Sequence, residues 1–107
     1  MHTAIDPDQQ VVTLVNVFTV DPDRQEELLD LLERATEEVM RHLPGFVSAN
    51  LHAALDGTRV VNYAQWRSVD DFRAMLANPR AGEHMSAALD LADAAPHLYT
   101  VRSVHVH

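Results

Sequence analysis

The stretch "FVSANLHAALDGTRVVNYAQWR", Phe46 to Arg67, decides the fold, because it has the pattern of two strands joined by a tight turn. Apolar and polar residues alternate on both sides of Asp56-Gly57, a dipeptide typical of two-residue hairpin loops. Such a loop fixes the register, so that Leu51 lies opposite Asn62. The stretch therefore predicts an antiparallel β-hairpin.

The segments on either side of the hairpin predict two more strands and the helices. A β-branched segment, "VVTLVNVFTV", predicts a strand. An acidic first turn followed by leucines at helical spacing predicts a long helix. Ser68 is a predicted N-cap for a short helix, and Asn78-Pro79 separates that helix from the next one. The predicted ranges are strand 11–20, helix 22–43, helices 69–77 and 80–92, and strand 97–106.

This element order predicts an α+β fold of the ferredoxin-like type, βαββαβ, with an antiparallel four-stranded sheet and helices on one face. The other sheet face carries Val, Ala, Tyr and Leu, and we expect a second copy of the chain to cover it. The predicted assembly is a homodimer. Residues 1–10 are expected to be a disordered lead, and residues 11–107 to form one domain.

Composition excludes several classes of partner. The net charge of −8 disfavours nucleic acid and anionic membranes, and no apolar run approaches the ~20 residues of a membrane helix. The absence of cysteine removes disulfides and thiolate metal sites and fits a cytoplasmic protein. No metal site is expected, because His105 and His107 lie at the terminus, and no Gly-rich phosphate loop indicates a nucleotide cofactor.

The predicted register assigns the hairpin residues to two faces, because directly paired residues share a face. The more apolar face should lie under the helices, where its alanines leave room and where Asn62 and Trp66 project. A buried amide and an indole N–H both need hydrogen-bond partners. The partners are either a ligand or neighbouring protein groups, and the sequence pattern does not decide between these two possibilities. The face predicted to lie under the helices comprises Val47, Ala49, Leu51, Ala53, Val60, Asn62, Ala64 and Trp66, and Phe46 is assigned to the opposite face.

The segment from Leu43 to Leu76 resembles a known family through "PGF", "DGT", "VVNYAQW" and the Ser, acid and Phe that follow. It is similar to the antibiotic biosynthesis monooxygenase family of the dimeric α+β barrel superfamily. Within it, the segment is most similar to the small cofactor-independent oxygenases that convert anthrones to quinones in aromatic polyketide pathways. The resemblance implies a dimeric α+β barrel that needs no cofactor.

The resemblance also implies site residues. In the anthrone-oxygenase branch, a strand Asn and Trp line the substrate pocket, and they correspond to Asn62 and Trp66. Phe72 stands where that branch carries Tyr, and "GEHMSAAL" lacks the Arg found in that region. A branch that degrades heme uses an Asn that matches Asn16 and a His near His84, while Met75 stands at its Trp position.

Anthrone oxidation needs proton removal, a flat binding site and stabilisation of oxyanion charge. The predicted catalytic residues are Asn62 and Trp66 as hydrogen-bond donors and His84 as the base. The predicted substrate-binding residues are Asn16, Phe18, Leu51, Phe72 and Met75, although the aromatic residues and Met75 also suit a plain core.

Three functions fit the sequence. The first is a homodimeric, cofactor-independent monooxygenase that uses O2 to oxidise a small phenolic aromatic substrate. The second is a polyketide cyclase on the same barrel. The third is a protein that binds a flat hydrophobic molecule such as heme, with or without degrading it.

Overall fold

The structure, a computed structural model, describes residues 1–107 and has the predicted βαββαβ order. All strand pairs are antiparallel, and the strand order across the sheet is β2-β3-β1-β4. The ferredoxin-like α+β fold is confirmed. The strands are β1 (Val12–Val20), β2 (Phe46–Ala53), β3 (Arg59–Trp66) and β4 (Ala92–Tyr99), and the helices are α1 (Gln25–Glu38), α2 (Val69–Leu76) and α3 (Pro79–Leu91), with 3₁₀ turns at Pro22–Arg24 and Met40–His42.

Short polar side chains cap the starts of α2 and α3, and the cap at Ser68 is the predicted one. The Ser68 hydroxyl accepts a hydrogen bond from the Asp71 backbone N–H at 3.1 Å, which caps α2. Asn78 Oδ1 accepts from the N–H groups of Arg80 and Ala81 and caps α3. These caps satisfy backbone donors that have no partner inside the helix, so they fix where α2 and α3 start.

The core lies between the sheet and the helices and is divided into two apolar clusters. One surrounds Phe18 and Leu28, which are 1% and 0% exposed. The other surrounds Trp66 and Phe72. Asn16, which lies on β1 between these clusters, is 4% exposed. The helix-side face of the sheet is therefore apolar except at its centre.

The predicted hairpin register is confirmed, because Leu51 pairs with Asn62. The connecting loop is longer than the predicted two-residue turn. Gly57 N–H donates to the Ala54 carbonyl at 3.0 Å, and only Gly57 in this loop has a positive φ, +81°. A two-residue type I′ turn needs positive φ at both central residues, which Asp56 does not adopt.

The predicted faces are wrong at the start of β2, where a β-bulge lies between Phe46 and Ser48. Phe46 pairs with Trp66, and Val47 is left out of the pairing and is 42% exposed. A bulge adds one residue to one strand and so reverses the faces beyond it. Phe46, and not Val47, therefore lies under the helices.

The last strand is also displaced from its predicted position. The prediction was residues 97–106, but β4 runs over Ala92–Tyr99 and pairs with β1 from Val20 to Thr13. The segment is rich in Ala and contains Pro96, which disfavours a strand prediction. Because β4 is an edge strand, a residue without an N–H is tolerated there.

The sheet face away from the helices is partly covered by residues 1–10. Gln65 on this face is 1% exposed, and its Nε2 donates to the Ala4 carbonyl at 2.8 Å. Thr3 Oγ1 donates to Asn50 Oδ1 at 3.2 Å. The predicted lead segment thus forms no helix or strand but contacts the sheet. None of the helices is long and apolar enough to cross a membrane.

Candidate functional site

A cavity of about 90 Å³ lies between the sheet and the helices. Its floor comes from the central strands β1 and β3, and its walls come from the three helices and the start of β2. Most of the lining is apolar, as in typical small-molecule sites. The lining residues on the strands are Leu14, Asn16, Phe18, Phe46, Ala49, Asn62, Ala64, Trp66 and Pro96.

Two amide side chains lie side by side on the cavity floor. Asn16 and Asn62 are directly paired across β1 and β3, so both project towards the helices. The Oδ1 atoms of both are buried and have no hydrogen-bond partner in the protein. An unpaired buried acceptor costs about 1–3 kcal/mol. The two amides make the centre of an apolar floor polar.

Aromatic rings form one wall of the cavity. The Trp66 ring lies between two phenylalanines, with centroid distances of 5.5 Å to Phe46 and 6.5 Å to Phe72, both in edge-to-face geometry. Trp66 is 2% exposed. This packing holds the indole in a fixed orientation beside the amide pair.

The helices add one ionisable group to the lining. His84 on α3 is half-buried and is the only ionisable side chain among the cavity-lining residues. It stands among apolar and thioether side chains, including Met85 of the same helix. An imidazole in this position is suited to removing a proton from a bound molecule.

A polar cluster at the end of β3 holds the aromatic wall in place. Arg67 makes two hydrogen bonds to the Asp71 carboxylate, at 2.8 and 2.9 Å, and Ser68 Oγ donates to the same group at 2.8 Å. The bonds from Arg67, followed by that from Ser68, lower the pKa of Asp71. Arg67 N–H also donates to the Gly45 carbonyl at 2.7 Å. The cluster joins α2 to the ends of β2 and β3.

The polar groups in the cavity lining indicate which kind of ligand the cavity can bind. Its polar groups are two amides, one imidazole, the Trp66 indole N–H and the Thr36 hydroxyl, and that hydroxyl already donates to the Leu32 carbonyl at 2.8 Å. Groups of three or more His, Asp or Glu side chains with metal-binding geometry do not occur in the structure. The available groups suit a mostly apolar organic molecule with one polar edge.

Comparison with known proteins identifies the family. The sequence profile described as "ABM: Antibiotic biosynthesis monooxygenase" matches residues 11–88. This match covers most of the chain and every element of the cavity floor. The chain belongs to the antibiotic biosynthesis monooxygenase family.

Relatives of this ABM protein include characterised oxygenases. It is 58% identical over 80 residues to a tetracenomycin-F1 monooxygenase of Streptomyces glaucescens, over 75% of this chain and 71% of that protein. ActVA-Orf6, a Streptomyces coelicolor monooxygenase solved with nanaomycin D, is 37% identical, with a TM-score of 0.81 over 95% and 96% of the two chains. SnoaB, a cofactor-independent oxygenase of Streptomyces nogalater, is 33% identical, with a TM-score of 0.76 over 90% and 97%. The predicted family and monooxygenase class are confirmed.

The structure of the ABM protein brings seven of the eight predicted site residues to the cavity. The exception is Leu51, which packs against the cluster around Phe18 instead. Phe46 and Pro96 also line the cavity, although the sequence pattern predicts neither, because it does not reveal the bulge at Val47 and places β4 too late in the chain. The seven are Asn16, Phe18, Asn62, Trp66, Phe72, Met75 and His84.

Proposed function

We propose that this ABM protein is a cofactor-independent monooxygenase that oxidises a phenolic polycyclic aromatic of the anthrone type to a quinone with O2. The observation that carries the proposal is the amide pair, Asn16 and Asn62, at the floor of a mostly apolar cavity that also contains His84 and Trp66. Such a cavity suits a flat hydrocarbon framework with oxygen substituents on one edge. The activities named for its relatives support this substrate class.

The proposed reaction balances without an added redox group. The methylene of an anthrone loses a proton to give a delocalised anion. This anion transfers one electron to O2, and the resulting carbon radical and superoxide combine to a peroxide. Protonation gives a hydroperoxide, which loses water and leaves the quinone carbonyl. One O2 is consumed, one oxygen atom enters the product, and the other leaves as water.

The cavity residues have distinct roles in this reaction. His84, the only ionisable group in the lining, removes the methylene proton and returns a proton to the peroxide. The Asn62 amide and the Trp66 indole N–H donate hydrogen bonds to the oxygen that gains charge. The apolar walls exclude water, which strengthens these interactions. Phe72, in the wall beside Trp66, packs against the ring system.

We also propose that the active form is a homodimer, paired through the sheet face away from the helices. Val17 pairs with Val61 on this face, and Val15 lies between Tyr63 and His97. These side chains form a largely apolar strip, and the hydrogen bonds of Thr3 and Ala4 lie elsewhere on this face, at Asn50 and Gln65. A second sheet packed on this strip would remove it from water.

Oxygen consumption tests the proposed activity. Purified protein treated with a chelator is incubated with dithranol, a simple hydroxyanthrone, without added metal or flavin. We expect O2 uptake and quinone formation in equal amounts, well above the rate in buffer. No acceleration with dithranol or related anthrones would contradict the proposal. Cyclisation of a polyketide-like chain without O2 uptake would instead favour a cyclase, and a Soret band shift with hemin would favour the heme alternative.

A further inference from the structure

The methionines of this protein are concentrated around the cavity. The chain contains four methionines, and all of them except Met1 line the cavity. Each of the three belongs to a different helical element: Met40 to the 3₁₀ turn after α1, Met75 to α2 and Met85 to α3. The thioethers therefore belong to the cavity wall opposite the sheet, and the proposed reaction gives them no chemical role.

Burial shields these thioethers from oxidants that are dissolved in water. Met75 is 6% exposed and lies within an apolar core cluster, while Met40 and Met85 are half-buried and pack against such clusters. Met1, in contrast, is fully exposed. Because oxidation by a dissolved peroxide follows exposure, a thioether at the surface should react before the three in the cavity wall.

An oxidant formed inside the cavity reaches the same thioethers without crossing solvent. The proposed reaction forms a substrate hydroperoxide in this small, mostly apolar space, beside the wall that carries the methionines. Methionine side chains are unbranched and flexible, so they adapt to a bound molecule and stay in contact with it. The order of oxidation should therefore be reversed, with the buried thioethers reacting before an exposed one.

We infer that Met40, Met75 and Met85 are oxidation sites, which take an oxygen atom from an organic hydroperoxide in the cavity. The inference rests on the proposed function for the source of that hydroperoxide. The sulfur attacks the outer oxygen, and the O–O bond breaks. The sulfur is oxidised to a sulfoxide, the hydroperoxide is reduced to an alcohol, and the proton of the transferred oxygen passes to the alcohol oxygen. This side reaction competes with the loss of water that gives the quinone.

Oxidation of the cavity wall limits the number of turnovers. A sulfoxide is polar, and its oxygen is an acceptor without a partner in an apolar wall. A flat apolar substrate then binds less well. The protein should therefore lose activity in proportion to the quinone that it has formed, and not in proportion to the time of incubation.

Peptide mass spectrometry after turnover under ¹⁸O2 tests the inference. The protein used is Leu55→Met, because Leu55 is fully exposed in the hairpin loop and its replacement supplies a reference thioether in bulk water. Dithranol is the substrate, and catalase removes hydrogen peroxide released to solution. We expect ¹⁸O in the sulfoxides of Met40, Met75 and Met85, which fall in different tryptic peptides, and none in the reference thioether. Label on the reference alone, or quinone formation without label on any methionine, would overturn the inference.

Direct addition of cumene hydroperoxide under nitrogen separates this inference from the proposed function, because it needs neither O2 nor turnover. In Leu55→Met we expect the three cavity methionines to be oxidised before the reference thioether, whereas hydrogen peroxide should oxidise the reference first. Oxidation of the reference first by both peroxides would overturn the inference. Cavity-first oxidation by cumene hydroperoxide without any quinone from dithranol would support the inference and refute the proposed function.

Replacement of the three methionines by leucine tests the consequence for activity. Leucine is close to methionine in volume, so the core should tolerate the exchange. The triple variant should form more quinone per protein molecule than the parent before its rate falls to half of its own starting value. Loss of activity after the same amount of quinone would overturn the claim that oxidation limits turnover. The two mass-spectrometric tests remain decisive if the triple variant does not fold.

Discussion

Phe46 lies directly opposite Trp66 at the joined ends of β2 and β3, with the two rings perpendicular and their centroids 5.5 Å apart. The β-bulge that leaves Val47 unpaired creates this contact. Without the bulge, the side chain of Phe46 would be on the far side of the sheet. The aromatic wall of the cavity thus depends on one extra residue in an edge strand.

Replacement of Phe46 should weaken both the fold and substrate binding. We expect Phe46→Ala to lower the free energy of unfolding by about 2 kcal/mol, because a half-buried ring and its contact with Trp66 are lost. The KM for an anthrone should rise more than kcat falls. Val47→Ala is the matched control and should change the free energy of unfolding by less than about 0.5 kcal/mol. Urea unfolding and steady-state kinetics measure the effects, and equal effects of the two variants would contradict the role of the bulge.

Gly45 should tolerate no side chain. Its φ is +83°, and a Cβ there would overlap the carboxyl group of Asp71. We expect Gly45→Ala to destabilise the protein by more than about 2 kcal/mol. Gly82, in α3, has open space around it, so Gly82→Ala should stabilise by about 0.5–1 kcal/mol. Thermal unfolding of both variants measures these changes in stability. A Gly45→Ala protein as stable as the parent would refute the prediction.

The contribution of Asp71 to stability should depend on pH. Its pKa is lowered from the ordinary value of 3.8 by hydrogen bonds from Arg67 and Ser68. A carboxyl whose pKa is lower in the folded state adds stability above its unfolded pKa and loses it as the pH falls towards the folded one. Asp71→Asn should therefore be less stable than the parent at about pH 6, and the gap should narrow below about pH 4. Denaturant unfolding across this range is the measurement, with exposed Asp70→Asn as control.

Removal of the imidazole of His84 should slow the reaction. If His84 transfers the substrate proton, His84→Ala should reduce kcat about 100-fold with little change in the free energy of unfolding, because His84 is only half-buried. His42→Ala alters an exposed histidine outside the cavity and should keep full activity. Initial rates of quinone formation decide the matter, and full activity in His84→Ala would exclude His84 as the base.

A charge on the open sheet face should separate the proposed dimer. Val61 pairs with Val17 on that face, and Val61→Arg would place a guanidinium against the partner sheet. We expect light scattering after size exclusion to give the dimer mass for the parent and the monomer mass for Val61→Arg. Leu89→Arg, on an exposed position of α3, should remain dimeric. A monomeric parent at micromolar concentration would rule out the proposed assembly.

Local signals predicted most of the fold. The leucine spacing of α1, the cap at Ser68, the break at Asn78-Pro79 and the alternation of β3 act over a few residues, so their effects can be derived from the sequence. The register that places Leu51 opposite Asn62 follows from the hairpin connection in the same way. The resemblance around "VVNYAQW" added the family and the pocket roles of Asn62 and Trp66.

Contacts between distant segments decided the rest. β4 forms on Ala92–Tyr99 because β1 offers that segment a complete row of backbone partners, which outweighs its weak strand propensity. Phe46 enters the cavity because a bulge reverses the face of β2, whereas Leu51 packs against the cluster around Phe18 and does not line the cavity. The sequence by itself thus determined the order of the elements and most residue types of the site. Only the tertiary structure determined that Asn16 pairs with Asn62, because the two residues are 46 positions apart in the chain. Bringing them together costs conformational entropy, and this cost is compensated only when the whole sheet forms.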